Sequence, residues 1–209
     1  MTDDEREIVE LLTGRIRMFS LDQLTANWWQ HDPQRAWRNI EAFKRLDERK
    51  LILFRHALSR PVTPLHHPLI IWEPGHAAPE LPAVTHYLRE RSRQPVRRTH
   101  IATATRKAAV LYGRNNSAPP FRRNQVTHDL YVSEVLLRYR ANGFDVRHRW
   151  RGEDELGQSW PISVKPDALI LDSMGVALRA VEFGGNYPVE RLEEIHLAFS
   201  SIELAYEIW

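Results

Sequence analysis

Cysteine is absent from the 209 residues, which removes disulfides, thiolate metal ligands and a cysteine nucleophile together. Any metal would have to rest on carboxylates, histidines and water. Long apolar runs are also missing: no stretch reaches the roughly 18 residues of a membrane-crossing helix. The opening, MTDDEREIVE, is acidic and helix-like, where a signal peptide would be basic and then apolar. These absences lead us to expect a soluble, cytoplasmic protein with no membrane partner. His66, His67 and His76 are scattered through Pro-rich sequence without an HExxH arrangement, so a zinc site is not expected. No GxSxG elbow recommends a serine triad. The glycines at Gly184 and Gly185 lack the lysine and hydroxyl residue that complete a P-loop.

At 43% apolar residues the chain can pack a core as one large domain or two small ones. Its net charge is only +2, but the basic residues are unevenly spread. Between Arg89 and Arg123, ten arginines and lysines stand against Glu90 alone. Guanidinium forks bind phosphate oxygens two at a time, and neutralising phosphates releases counterions, so this stretch points to nucleic acid.

The first half reads as three helices and a hairpin. A helix over Asp3–Leu12 has acidic residues in its first turn, where the dipole favours them. Ser20-Leu-Asp-Gln23 fits a capping box opening a second helix with Leu21, Leu24 and Trp28 at helical spacing. Asp32 as N-cap and Pro33 as first residue open a third, lined by Ala36, Trp37, Ile40, Phe43 and Leu46. Extended pieces at Leu51–Ala57 and Leu69–Trp72, separated by a Pro-rich turn, would form the hairpin. This is the pattern of a winged helix-turn-helix. Its third helix would present Gln34, Arg35, Arg38, Asn39 and Lys44 to a DNA groove, with Arg97, Arg98, Arg122 and Arg123 as further phosphate contacts. Such modules also serve as protein-docking or dimerisation units, and the tryptophans Trp28, Trp29, Trp37 and Trp72 keep a protein partner or homodimer open. A helix over Glu80–Ser92 follows, and GRNNSAPP (Gly113–Pro120) reads as a linker.

From Val126 the pattern becomes helix, three strands, helix, strand. The helix spans Val126–Arg140, and the strands Phe144–Trp150, Val164–Leu171 and Val176–Phe183. The second helix covers Val189–Ser200, and Leu204–Trp209 closes the sheet. With a hairpin turn over Asp172–Gly175, Lys165 would face Glu182 and Asp167 would face Ala180, and the alternation of strands would set Lys165, Asp167, Glu182 and Gly184 on one face. Asp167 and Glu182 then become diagonal neighbours, roughly 7–8 Å apart. Two carboxylates converging from adjacent strands suit a hard cation such as Mg²⁺ or Mn²⁺, which could deliver water to a phosphodiester.

The order helix, three strands, helix, strand, with Pro166-Asp167 on the middle strand and Glu182-Phe183-Gly184 on the next, resembles the PD-(D/E)xK nuclease-like superfamily. The winged-helix pattern followed by His128-Asp129-Leu130, Lys165-Pro166-Asp167 and Val181-Glu182 is similar to the replication-relaxation family of plasmid and mobile-element proteins. The resemblance implies a domain order of 1–79 (winged helix), 80–120 (basic helix and linker) and 121–209 (nuclease-like), an α+β chain overall. It implies Asp167 and Glu182 as catalytic metal ligands, with the helix acid Glu134 as a third ligand and His128 and Asp129 as phosphate or water contacts. One departure stands out. The superfamily places a lysine two residues after the second carboxylate, and this chain has Gly184 there. Lys165 is the candidate replacement. The expected function is therefore binding of double-stranded DNA, in replication, mobilisation or regulation, by a protein whose nuclease-like domain is degenerate. A Mg²⁺-dependent endonuclease and a protein-docking adaptor are the alternatives.

Overall fold

The structure is a computed structural model that describes residues 1–28, 36–113, 119–157 and 160–209, the side chains of 36–40 excepted. In chain order it contains α1 (Asp3–Gly14), β1 (Phe19–Ser20), α2 (Leu21–Trp28), α3 (Ala36–Glu48), β2 (Ile52–Ser59), β3 (Ile70–Trp72) and α4 (Leu81–Arg91). There follow β4 (Arg97–Ala104), α5 (Arg106–Leu111), α6 (Val126–Ala141), α7 (Val146–Arg149), β5 (Trp150–Gly152), β6 (Ala168–Leu171), β7 (Ala177–Glu182), α8 (Val189–Ser201) and β8 (Ala205–Ile208). No helix among the described residues is long and apolar enough to cross a membrane.

This α+β chain divides into two compact units that interleave in sequence. Met1–Ser59 joins Val96–Leu137, and Arg60–Pro95 joins Arg138–Trp209. The sequence pattern had suggested consecutive segments, 1–79, 80–120 and 121–209. The difference arises in the basic stretch expected to be a connection. There Thr99, Ile101 and Thr103 alternate along β4, a strand signal masked by the flanking arginines, with Ile101 and Thr103 buried. β4 pairs antiparallel with β2 over eight residues, from Ile52 opposite Ala104 to Ser59 opposite Arg97. The expected hairpin partner, Leu69–Trp72, instead contributes β3 to the other unit's sheet.

In the first unit the helix starts follow from local hydrogen bonding. The Thr2 hydroxyl accepts the Glu5 N–H and the Glu5 carboxylate accepts the Thr2 N–H, closing a capping box on α1. The same reciprocal pair opens α2, with Ser20 and Gln23 exchanging bonds of 3.0 and 3.1 Å. A three-stranded sheet, ordered β1-β4-β2, packs with apolar residues of these helices, including Ile8, Leu11, Leu12, Leu24 and Leu46, all fully buried. Asp32 and Pro33, expected to open α3, lie outside the described residues, as do 114–118 of the expected linker.

The second unit is a five-stranded sheet ordered β3-β8-β7-β6-β5. β5, β6 and β7 form an antiparallel meander, and β8 returns parallel to β7 after α8. One sheet face, carrying Leu169, Leu171, Ala180, Tyr206 and Ile208, packs into a single apolar core with Leu81 and Leu88 of α4 and Leu192, Ile195 and Phe199 of α8. The strand expected over Phe144–Trp150 is mostly the short helix α7, because Asp145 caps the His148 N–H; only Trp150–Gly152 extends as β5. Behind the sheet Glu207 is 2% exposed and accepts hydrogen bonds from the Tyr139 hydroxyl at 2.7 Å and the Trp209 indole at 2.6 Å.

Candidate functional site

Two groups of chemistry-bearing side chains emerge, one in each unit. In the first unit β1 meets β4 only at Ile101 and Ala102, so beyond that point β2 and β4 continue as a two-stranded ribbon. Neither strand contains an acidic residue. Arg55, Arg97 and Arg98 are all exposed on it. The Arg55 guanidinium lies 5.0 Å over the Phe121 ring, which holds its orientation. Arg97 approaches Asp22 at 3.9 Å, an exposed pair too solvated to tie the arginine down. Arg123 is exposed, and Arg122 donates to the Gln125 side chain at 3.1 Å.

Of the expected groove-facing set, Lys44 is exposed on α3. Arg38 and Asn39 belong to α3, but their side chains, like the whole of Gln34 and Arg35, lie outside the described residues. Arg55 escaped the sequence reading because its strand was identified but its cross-strand partner was not; with β4 in place, Arg55 shares a ribbon face with Arg97, and Arg98 lies on the opposite face.

Asp129 is only 3% exposed and pairs with Arg17 at 3.1 Å. It is an interior ion-pair partner, a placement that does not suit the phosphate contact the resemblance implied. His128 stands 3.7 Å from the Asp129 carboxylate. Glu134 accepts a hydrogen bond from the Gln23 side chain at 3.0 Å within the first unit.

In the second unit the acid pair has a register different from the expected one. Asp172 accepts N–H bonds from Met174 and Val176 on its carboxylate, and Gly175 takes a φ of +83° that favours glycine. This turn closes by the Asp172 N–H donating to the Val176 carbonyl, which shifts the register by one residue from that expected. A bulge at Leu178 then adds a second residue, since Leu171 faces Ala177 while Ile170 faces Arg179. Two one-residue slips preserve the alternation of faces, so Asp167 and Glu182 keep a common face. They also come closer. Ala168 faces Val181, which brings Asp167, one residue before β6, level with Glu182.

The Asp167 carboxylate accepts the Phe183 N–H at 2.8 Å, and Glu182 is 2% exposed. The same slip corrects the expectation for Lys165. It does not face Glu182; it precedes β6 and is exposed.

Gly184 explains the missing lysine. A Cβ at this position would lie 2.8 Å from both terminal methyls of Leu88 and 3.1 Å from Ile208. The space a longer side chain needs is occupied by α4, and Leu88 is fully buried there. α4 also supplies Arg91, whose guanidinium donates to the carbonyls of Gly184 and Trp209 and lies 4.3 Å over the Phe183 ring.

Tyr187 and Arg191, which the sequence reading passed over, feel the charges of the acid pair. Burial first, then the charges of Glu182 and Asp167, push the Tyr187 phenol well above its ordinary value, against the pull of Arg191. Burial works against charge on Arg191, but Glu194, Glu182 and Tyr187 outweigh it and hold the guanidinium above its ordinary value. Arg191 donates to Glu194 at 2.6 Å. A sequence signal for Arg191 existed: it is a cation in the first turn of α8, where the helix dipole disfavours one unless acids lie near.

One Asp167 oxygen accepts a backbone N–H, and among the described residues no three His, Asp or Glu side chains gather in a metal-sized group.

No family model, curated protein or solved structure matches the chain.

Proposed function

We propose that this protein binds duplex DNA through the β2–β4 ribbon and α3 of its first unit, and that its second unit is a nuclease-like scaffold without catalytic activity. The observation that carries the binding half is the ribbon, where Arg55, Arg97 and Arg98 are exposed on two strands that contain no acid. The sequence of elements supports the reading. Helices α1, α2 and α3 packed with the antiparallel β2–β4 pair, with β1 as a short third strand, fit a winged helix whose two wing strands are separated in sequence by β3 and α4. Arginines on such a wing meet phosphates and set position, while side chains on α3 would read base edges.

The α7-β5-β6-β7-α8-β8 order of the second unit, with β8 parallel to β7 and the end of α6 preceding it, supports a PD-(D/E)xK-like reading. Two features support the loss of activity: a side chain at position 184 would meet Leu88, and Lys165 precedes β6 and does not face Glu182. The resemblance of His128-Asp129-Leu130, Lys165-Pro166-Asp167 and Val181-Glu182 to replication-relaxation proteins supports a role in plasmid or mobile-element replication, mobilisation or regulation.

The test measures anisotropy of a labelled duplex with the full chain. Arg97→Ala/Arg98→Ala is expected to weaken binding by a similar factor on unrelated sequences, as lost phosphate contacts do. Wild-type affinity retained by that variant would refute the ribbon as the contact surface. Supercoiled plasmid is expected to stay intact with Mg²⁺ or Mn²⁺. Nicking that Asp167→Ala abolishes would refute the inactive scaffold and establish a metal-dependent endonuclease.

A further inference from the structure

The ribbon carries a second feature beside its arginines. His56 of β2 and His100 of β4 are direct cross-strand partners. Their rings meet edge to face, with centroids 4.2 Å apart at 77°. Both side chains are exposed, and Arg98 lies on the same ribbon face, opposite Leu58, which is 66% exposed. That face therefore presents one permanent cation, two titratable ones and an exposed apolar side chain.

The neighbouring charges are all identifiable. His56 is flanked by Arg98 and His100. The hollow beside His100, lined by Leu21, Asp22 and Arg97–His100, contains one acid, Asp22, which pairs with Arg97. Like charges directly opposite one another on a ribbon repel, so a second and third positive charge beside Arg98 are unfavourable in the free protein. Burial, Arg98 and His100 accordingly hold the His56 imidazole below its ordinary value. An anion on this face reverses the balance. A phosphodiester oxygen accepts an N–H from each ring, and its charge offsets the repulsion, so binding draws protons onto the pair.

We propose that His56 and His100, with Arg98, form a phosphate-binding point for the DNA backbone, and that DNA affinity is coupled to proton uptake by this pair. The proposal rests on the reading that the first unit binds DNA. Leu58 at the end of the same face would lie against the sugar edge once the phosphate is seated. DNA affinity therefore rises as pH falls, and it does so through these two rings and not through the other histidines.

The experiment is duplex binding by the full chain at constant ionic strength from pH 8.0 to 5.5, using a dye whose emission does not change with pH. Four proteins are compared: wild type, His56→Gln/His100→Gln, His56→Lys/His100→Lys and Arg98→Ala. Wild type is expected to bind at least about tenfold tighter at pH 5.5, with the salt dependence steepening by about 0.9 in slope for each ring that takes up a proton. The Gln pair is expected to bind at all pH values as wild type does at pH 8.0. The Lys pair is expected to bind tightly throughout. Binding by wild type with no pH dependence, or an equal dependence in the Gln pair, would overturn the proposal and leave the DNA-binding reading standing. Absence of duplex binding at every pH would overturn both.

Discussion

Gly184→Ala adds a single methyl group, and the structure gives it no room. The new Cβ would meet the two Leu88 methyls at 2.8 Å and Ile208 at 3.1 Å. Gly184 does not have the positive φ that only glycine tolerates, so the cost is packing and not backbone strain. Leu88 is the terminal part of a flexible side chain, but it is enclosed by the core of α4, α8 and the sheet. Forcing it aside costs about 1–3 kcal/mol, the usual range for overpacking. For a chain of this size that is a fall in Tm of about 2–12 °C.

Leu88→Ala alone should cost about 2–5 kcal/mol by opening a cavity. In the double variant the added methyl enters that cavity, so the two losses should fall short of their sum by about 0.5–3 kcal/mol. Urea unfolding of the four proteins measures this coupling directly. A lysine at 184 should be worse than alanine, because an ammonium without a partner is driven into the same core, and it should confer no nuclease activity. An unchanged unfolding midpoint for Gly184→Ala, or strictly additive losses, would refute the claim that α4 fills the lysine's place.

Three further outcomes are expected. Asp129→Ala removes one carboxylate partner of the buried Arg17 and should be destabilising, whereas Arg17→Met/Asp129→Leu should lose less; equal losses in urea unfolding would contradict an interior ion pair. Ser20→Ala removes the hydroxyl that accepts the Gln23 N–H and should cost about 1–2 kcal/mol in the same assay. Burial holds the Glu207 carboxyl above its ordinary 4.5, outweighing Tyr139, Trp209 and Arg179. The folded state therefore binds this proton more tightly than the unfolded state, and the contribution to stability declines as pH rises from 4.5 through the raised value. Glu207→Gln should flatten that decline between acid and neutral pH; parallel stability curves for the two proteins would count against it.

The helix starts were legible because capping is local. Ser20 and Gln23 are three residues apart, and their reciprocal bonds follow from that spacing alone. The order of elements from Val126 onward was legible as hydrophobic periodicity, and so was the common face of Asp167 and Glu182. What failed was non-local. The partner of β2 is separated from it by the 37 residues 60–96, and β3 had the composition of a suitable substitute. The hairpin register depended on one residue in the turn and one at Leu178, and neither leaves a composition signal. Their sum preserved the face yet moved Lys165 away from Glu182. The packing of Leu88 on Gly184 joins α4 to a strand nearly a hundred residues later, which no spacing rule reports. Arg191 was the one missed residue whose position, a cation at a helix start, could have drawn attention.

The central claim, a DNA-binding cationic ribbon, is tested most directly by the salt dependence of duplex affinity. Each phosphate neutralised contributes about −0.9 to the slope of log K against log salt, so Arg55, Arg97 and Arg98 alone predict a slope of about −2.7. Between about 50 and 200 mM salt, affinity should then fall about 40-fold. Replacing all three by alanine should flatten the slope by most of that amount. A flat response in the wild-type protein, or an identical slope in the triple variant, would contradict the account.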